Sequence, residues 1–167
     1  MRLAVIGCGN IAHFHIPAIR DAGFDISAIA SSLNSKNVDD FAKKHDIDKV
    51  YNNPIELINN VSEWDALLLL SPVSTIVDYL ELAVPFGKPI LVEKPVALDH
   101  LHLKNLIKYK NIRVAYNRRF YSGAVFAKNF VKEHPNSLIK VTIPEQRKDP
   151  KHNIDFPNRL PLLSYEN

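Results

Sequence analysis

An α/β fold built on a doubly wound parallel sheet, followed by the incomplete start of an α+β second domain, is the architecture this sequence predicts. Three observations predict the sheet. A buried-strand pattern, Arg2-Leu-Ala-Val-Ile6, runs straight into a glycine turn and an apolar-periodic helix. Strand patterns then alternate with helix patterns through residue 116, which requires crossover connections and hence parallel strands. Finally, Trp64 to Leu70 contains four consecutive leucines, a run that suits a strand covered on both faces.

After the first strand, Gly7 can take up a tight turn, and Gly9 lets the backbone approach a pyrophosphate with no Cβ in the way. Asn10 and Ile11 open the helix, whose free N–H groups favour an anion. Ala12 stands where the pattern has a third glycine, an accepted variant for close helix-to-strand packing. A glycine turn alone is a weak signal, because such turns also serve steric ends. The rival S-adenosylmethionine turn usually carries an acid just before its glycines, where this chain has Val5 and Ile6.

The helix from Asn10 to Ala22 is stopped by Gly23, and Pro17 inside it predicts a kink or a restart. Phe24 to Ala30 reads as the second strand, Val38 to His45 as a helix, Lys49 to Tyr51 as a short strand and Pro54 to Asn59 as a proline-started helix. Ser71-Pro72 ends the leucine strand, a helix follows to about Phe86, Gly87 closes it, and Pro89 to Val92 forms the fifth strand. Asp99 is a good N-cap for a helix carrying Leu103, Leu106 and Ile107, and Ile112 to Tyr116 is the sixth strand. A ligand of such a sheet lies across the carboxyl ends of its strands, near Gly7, Ser31, Ser71 and Glu93.

Beyond residue 117 the pattern changes. Ser122 to His134 is one more helix with Phe126 and Phe130 at i, i+4, Leu138 to Ile143 a strand, and the remainder proline-rich loop. The expected division is a domain over residues 1–117 and the start of a second over 118–167, too short to build a core of its own.

Composition narrows the function classes. The longest apolar run, Ala66 to Leu70, is far short of the roughly 18 residues needed to span a bilayer, and no leader pattern precedes the first strand, so a cytoplasmic location with no membrane partner is expected. The single cysteine, Cys8, fits a reducing compartment and reads as a small apolar residue. His13/His15 and His100/His102 are spaced i, i+2, which points paired rings to different sides of a helix, so no metal is expected. The net charge of +3 is concentrated in residues 118–167, with 9 Lys and Arg against 5 Asp and Glu, but these are scattered, so a nucleic-acid partner is not expected.

Three stretches resemble the glucose-fructose oxidoreductase, inositol dehydrogenase and rhizopine-catabolism group, Gfo/Idh/MocA: Gly7-Cys-Gly-Asn-Ile-Ala-His-Phe-His15, Gly87-Lys-Pro-Ile-Leu-Val-Glu93-Lys94-Pro95, and Ala115-Tyr-Asn-Arg-Arg-Phe120. The resemblance covers residues 1 to about 143. It implies a Rossmann domain and nicotinamide-dependent hydride transfer on a sugar, polyol or nucleotide-sugar-like alcohol. It makes Lys94 the catalytic residue, beside the nicotinamide and the reacting hydroxyl, with Pro95 joined by a cis peptide and Glu93 positioning the lysine and the cofactor ribose. Ser71, Pro72 and Asn117 complete the implied cofactor contacts, although Asn117 reads equally as a cap for the turn into Arg118.

Cofactor choice is argued from the end of the second strand. NAD enzymes usually place an acid there, about 20 residues past the glycines, whereas this chain has Ser31-Ser32-Leu33-Asn34-Ser35-Lys36. Ser31, Ser32 and Lys36 would accept a 2′-phosphate, so NADP is expected over NAD. Lys36 reads equally as an exposed helix-start residue.

Two departures bear on activity. The group commonly has Asn and His where this chain has Val73 and Ile76, and its members run to about twice this length, with an Asp and a His in the second domain that His134 and His152 do not match. The alternative expectation is therefore a nucleotide-binding protein without turnover, and a homo-oligomer or a complementary chain is an expected partner.

Overall fold

The computed structural model describes residues 1–32, 35 and 37–142. By packing, the chain divides into two compact units, Met1–Arg119 and one that starts at Phe120. The first unit contains β1 (Arg2–Ile6), α1 (Ala12–Asp21), β2 (Asp25–Ala30), α2 (Val38–Lys44), β3 (Val50–Tyr51), α3 (Pro54–Asn59), β4 (Ala66–Leu69), α4 (Val73–Ala83), β5 (Ile90–Val92) and β6 (Ile112–Val114).

All six strands are parallel, in the order β3-β2-β1-β4-β5-β6. The chain winds outward from β1 through β3, then returns to place β4 on the other side of β1. That reversal opens a crevice between β1 and β4. The pleat divides the core. Val5, Ile29 and Leu68 point to the layer holding Ile16 of α1 and Phe41 of α2. Ile6, Leu67 and Leu69 point to the layer holding Leu57 of α3 and Ile76 and Leu80 of α4. The leucine strand is thus covered on both faces, as its composition predicts. Ser27 is the extra residue where the β1–β2 register shifts, and its hydroxyl donates to the Leu3 carbonyl at 3.2 Å.

Several elements differ from expectation. β4 begins at Ala66, because Trp64 turns into the core, fully buried, and its indole N–H donates to the Leu57 carbonyl at 3.1 Å. α1 runs unbroken through the exposed Pro17, with no restart. Asp99 caps as predicted, its carboxylate accepting from Leu101 N–H at 2.8 Å, but it starts only a 3-10 turn, His100–Leu103. Leu106 is buried and Leu103 packs half-buried on the same core, but Ile107, the third member of the expected stripe, is 81% exposed, so the apolar face that would hold a longer helix to the sheet is incomplete. In the second unit, α5 (Ser122–Glu133) forms as expected, with the Phe126 and Phe130 rings stacked at 5.9 Å. Residues 138–142 form no strand, and Leu138 is 96% exposed with no strand beside it among the described residues. Ile143 and the proline-rich remainder lie outside the described residues.

α1 and α2 meet through rings. His13 Nδ1 lies 2.7 Å from His45 Nε2, and both imidazoles pack on Phe41 at 4.6 and 4.5 Å between centroids. Burial, then the neighbouring His13, holds His45 below the ordinary imidazole range. The folded state therefore favours neutral His45, and its contribution is complete above the ordinary value of 6.5 and lost as pH falls below it. His45→Gln is expected to flatten the decline in stability between about pH 7 and 5. Urea denaturation at a series of pH values checks this, and an equally steep decline contradicts it.

Candidate functional site

Register brings the strand ends to one edge. Ile6 pairs with both Ala30 and Leu69, and Leu69 pairs with Val92. The residues that follow, Gly7, Ser31, Leu70 and Glu93, therefore emerge side by side at the carboxyl end of the sheet. Ser71 and Pro72 come next after Leu70, leading into α4.

Gly7 is held from both sides. Its N–H donates to the Ala30 carbonyl at 2.8 Å, and the Leu70 N–H donates to the Ile6 carbonyl at 2.7 Å. It adopts φ +107°, and a Cβ there would stand 2.7 Å from the Leu70 carbonyl carbon and oxygen. Glycine at this position is required by the protein itself. Gly9 is different: no atom among the described residues lies within 4 Å of where its Cβ would be. The fold leaves that space open beside the start of α1, where the Ala12 N–H donates to the Gly9 carbonyl at 2.9 Å, and an anion fits it at the positive end of the helix.

A second feature fits a polar ligand at this edge. The Ser71 hydroxyl oxygen is buried and has no hydrogen-bond partner among the described residues. A hydroxyl left so costs about 1–3 kcal/mol. Cys8 Sγ lies 3.2 Å from Ser35 Oγ, joining the glycine turn to the segment after β2.

Glu93 is the most constrained polar group of the site. One carboxylate oxygen receives the Lys94 backbone N–H at 2.9 Å, and the other lies 3.0 Å from His15 Nε2. Both side chains are largely covered, at 16% exposure for Glu93 and 20% for His15. Lys94 itself is exposed, and the Lys94–Pro95 peptide is cis. A charged ammonium on a fixed backbone corner can hold developing negative charge on an oxygen.

The remaining expected contacts distribute unevenly. Asn10 and Ile11 are exposed in the glycine turn, Ser31 is buried and Ser32 exposed at the end of β2, and Lys36 lies outside the described residues. Asn117 is exposed three residues past β6, its N–H donating to the Ala115 carbonyl at 3.0 Å. Sequence reasoning missed His15. The signal was its position beside Ala12 and Ile16, the buried stripe of α1: a polar ring at the margin of that stripe needs a partner.

Among the described residues no helix is long and apolar enough to cross a membrane, and no three His, Cys, Asp or Glu side chains gather as a metal site.

Comparison with known proteins agrees with this geometry. Inositol 2-dehydrogenase of Paracoccus denitrificans is 28% identical over 150 residues, covering 84% of this chain and 44% of that protein. An uncharacterised protein of Saccharomyces cerevisiae is 34% identical over 114 residues, covering 65% of this chain and 32% of its own length. Among solved structures, an oxidoreductase from Thermotoga maritima superposes with a TM-score of 0.70 at 28% identity, over 80% of this chain and 43% of that one. The myo-inositol dehydrogenase of Lactobacillus casei, solved with NAD(H) and myo-inositol, shares the fold with a TM-score of 0.72 at 21% identity, over 80% and 41%. The chain thus spans less than half the length of each. Residues 1–117 match the family model for an oxidoreductase family with an NAD-binding Rossmann fold, and with the strand order and glycine turn that such a fold demands, the chain belongs to the Gfo/Idh/MocA oxidoreductases.

Proposed function

We propose that residues 1–117 bind a nicotinamide dinucleotide across the carboxyl ends of β1, β2, β4 and β5, and that residues 118–167 begin a substrate-reading domain. With that domain, the protein would transfer hydride between the cofactor and a sugar-, polyol- or nucleotide-sugar-like alcohol. The observation that carries the reading is the contrast within the turn: Gly7 is filled by protein, while Gly9 faces space that the fold leaves open. The pyrophosphate lies on the Gly9-Asn10-Ile11 backbone, Ser71 and Pro72 border it, and the unpaired Ser71 hydroxyl gains a partner.

The cofactor, when bound, supplies hydride chemistry. The chain's residues supply placement. Lys94 directs its ammonium at the reacting hydroxyl and stabilises the oxygen as it gains charge, while Glu93, Pro95 and Asn117 set the corner on which the lysine and nicotinamide meet. Inositol, the substrate class in the names of several relatives, is a polyol of the kind proposed. A second copy or a complementary chain completes the site in the same proposal, and the location is cytoplasmic.

Ser31 and Ser32 leave the end of β2 without the carboxylate that would repel a 2′-phosphate, and Lys36 adds a cation in sequence, so NADP is favoured over NAD. Titrating the chain with NADPH and NADH, followed by nucleotide fluorescence, is expected to give micromolar binding with NADPH tighter. Tighter NADH overturns the preference, and no binding of either at millimolar concentration overturns the function. Binding with no absorbance change on any polyol favours a second reading, a dinucleotide-binding protein without turnover.

A further inference from the structure

The hydrogen bond between His15 and Glu93 joins two parts of the sheet edge that the chain separates by 78 residues. His15 belongs to the second turn of α1, the helix that starts directly after the glycine turn. Glu93 directly follows β5 and immediately precedes Lys94. Between them stand β1 and β4, so backbone pairing alone fixes the two only through two intervening strands.

We infer that His15 is a positioning residue: by holding the Glu93 carboxylate, it sets the Glu93–Lys94 corner at a fixed distance from the turn that would carry the pyrophosphate. The inference rests on the proposed dinucleotide site and deepens it.

Glu93 has two oxygens and both are engaged, one by His15 Nε2 at 3.0 Å and one by the Lys94 N–H at 2.9 Å. The carboxylate therefore acts as a strut between helix α1 and the backbone of the lysine. A hydrogen bond to a charged acceptor in partly covered surroundings is among the stronger kinds, and here both side chains are at least four-fifths covered. Remove the imidazole and, among the described residues, Glu93 keeps the hydrogen bond from its own neighbour Lys94, which cannot set its distance from α1. His13, two residues earlier, points instead to His45 and Phe41, so the two histidines of α1 anchor the helix in different directions, toward α2 and toward β5.

The nature of the bond suggests the variants. Leucine at position 15 keeps bulk and loses the donor, whereas glutamine places an amide N–H near the position of imidazole Nε2. His15→Leu is expected to shift the Lys94 backbone amide resonance and speed its hydrogen exchange in the cofactor-free chain, and to weaken NADPH binding about tenfold. His15→Gln is expected to restore both. Circular dichroism of each variant establishes that it is folded, and if His15→Leu fails to fold, His15→Asn, too short to reach Glu93, takes its place.

An unchanged Lys94 amide in the donor-free variant overturns the inference, as does a moved amide with undiminished NADPH affinity. Loss in both variants, with no recovery in His15→Gln, overturns it too, since a donor in the same place would then be insufficient. If the unaltered chain binds no nicotinamide dinucleotide, the proposed function fails instead, and the Lys94 amide, read without cofactor, still decides whether His15 holds the corner.

Discussion

Gly7→Ala lowers the stability of the chain by about 3 kcal/mol, while Gly9→Ala changes it by about 0.5 kcal/mol or less and instead weakens NAD(P)H binding at least about tenfold. The two glycines are two residues apart in one turn, yet they answer to different constraints. At Gly7 the backbone occupies φ +107°, and an added methyl would overlap the Leu70 carbonyl group and approach the Ser71 nitrogen at 2.9 Å, all backbone atoms of the strand end. Relief requires β1 and β4 to part at the crevice, and β4 is pinned there by the Leu70-to-Ile6 hydrogen bond. At Gly9 an added methyl meets no described atom within 4 Å; it takes up only the space a phosphate would use. Chemical denaturation and cofactor titration of both variants check the pair. Equal destabilisation by both, or full cofactor affinity in Gly9→Ala, contradicts the assignment.

Trp64→Ala costs about 4 kcal/mol. The indole is fully buried between α3 and the start of β4, with Phe86 edge-on at 6.1 Å and the Lys88 ammonium 4.9 Å above the ring. Its N–H also satisfies the Leu57 carbonyl near the end of α3. Truncation leaves a cavity and an unpaired carbonyl together. Trp64→Phe restores much of the volume but not the donor, and is expected to cost about 1–2 kcal/mol. Far-UV circular dichroism in urea measures both, because Trp64 is the chain's one tryptophan and its fluorescence is lost with it. A loss below about 1 kcal/mol for the alanine variant contradicts this account of the core.

The elements that were legible in the sequence are those whose pattern is local. The leucines of β4 require cover on both faces and obtain it. Gly7 turns where the first apolar run ends, and Pro54 starts α3 as expected; the structure adds the cap, the Asn53 side chain accepting from Ile55 N–H at 2.9 Å. The failures arise where a local signal depends on something distant. Asp99 is a sound cap, but a helix needs a continuous face to bury, and Ile107 stays exposed where Leu103 and Leu106 reach the core. Leu138 to Val141 have no neighbouring strand among the described residues, so extended propensity has no ladder to join.

The same distinction governs the site. Gly7, Gly9 and Glu93-Lys94-Pro95 are readable because turns and motifs are contiguous. The partnership of His15 with Glu93 spans 78 positions, and only the strand order β1-β4-β5 brings the two together. Ser71 illustrates a third case: its place at the strand end is evident from Ser71-Pro72, but that its hydroxyl is buried without a partner among the described residues follows only from packing.

The central claim is that a dinucleotide lies on the glycine turn with its nicotinamide end toward Lys94. Amide hydrogen exchange of the chain with and without saturating NADPH tests it most directly. The account predicts slowed exchange at residues 8–12, at 71, 73 and 74 (Pro72 having no N–H) and at 93–94, with α5 unchanged. Binding that leaves residues 8–12 and 93–94 exchanging at their free rates would contradict it.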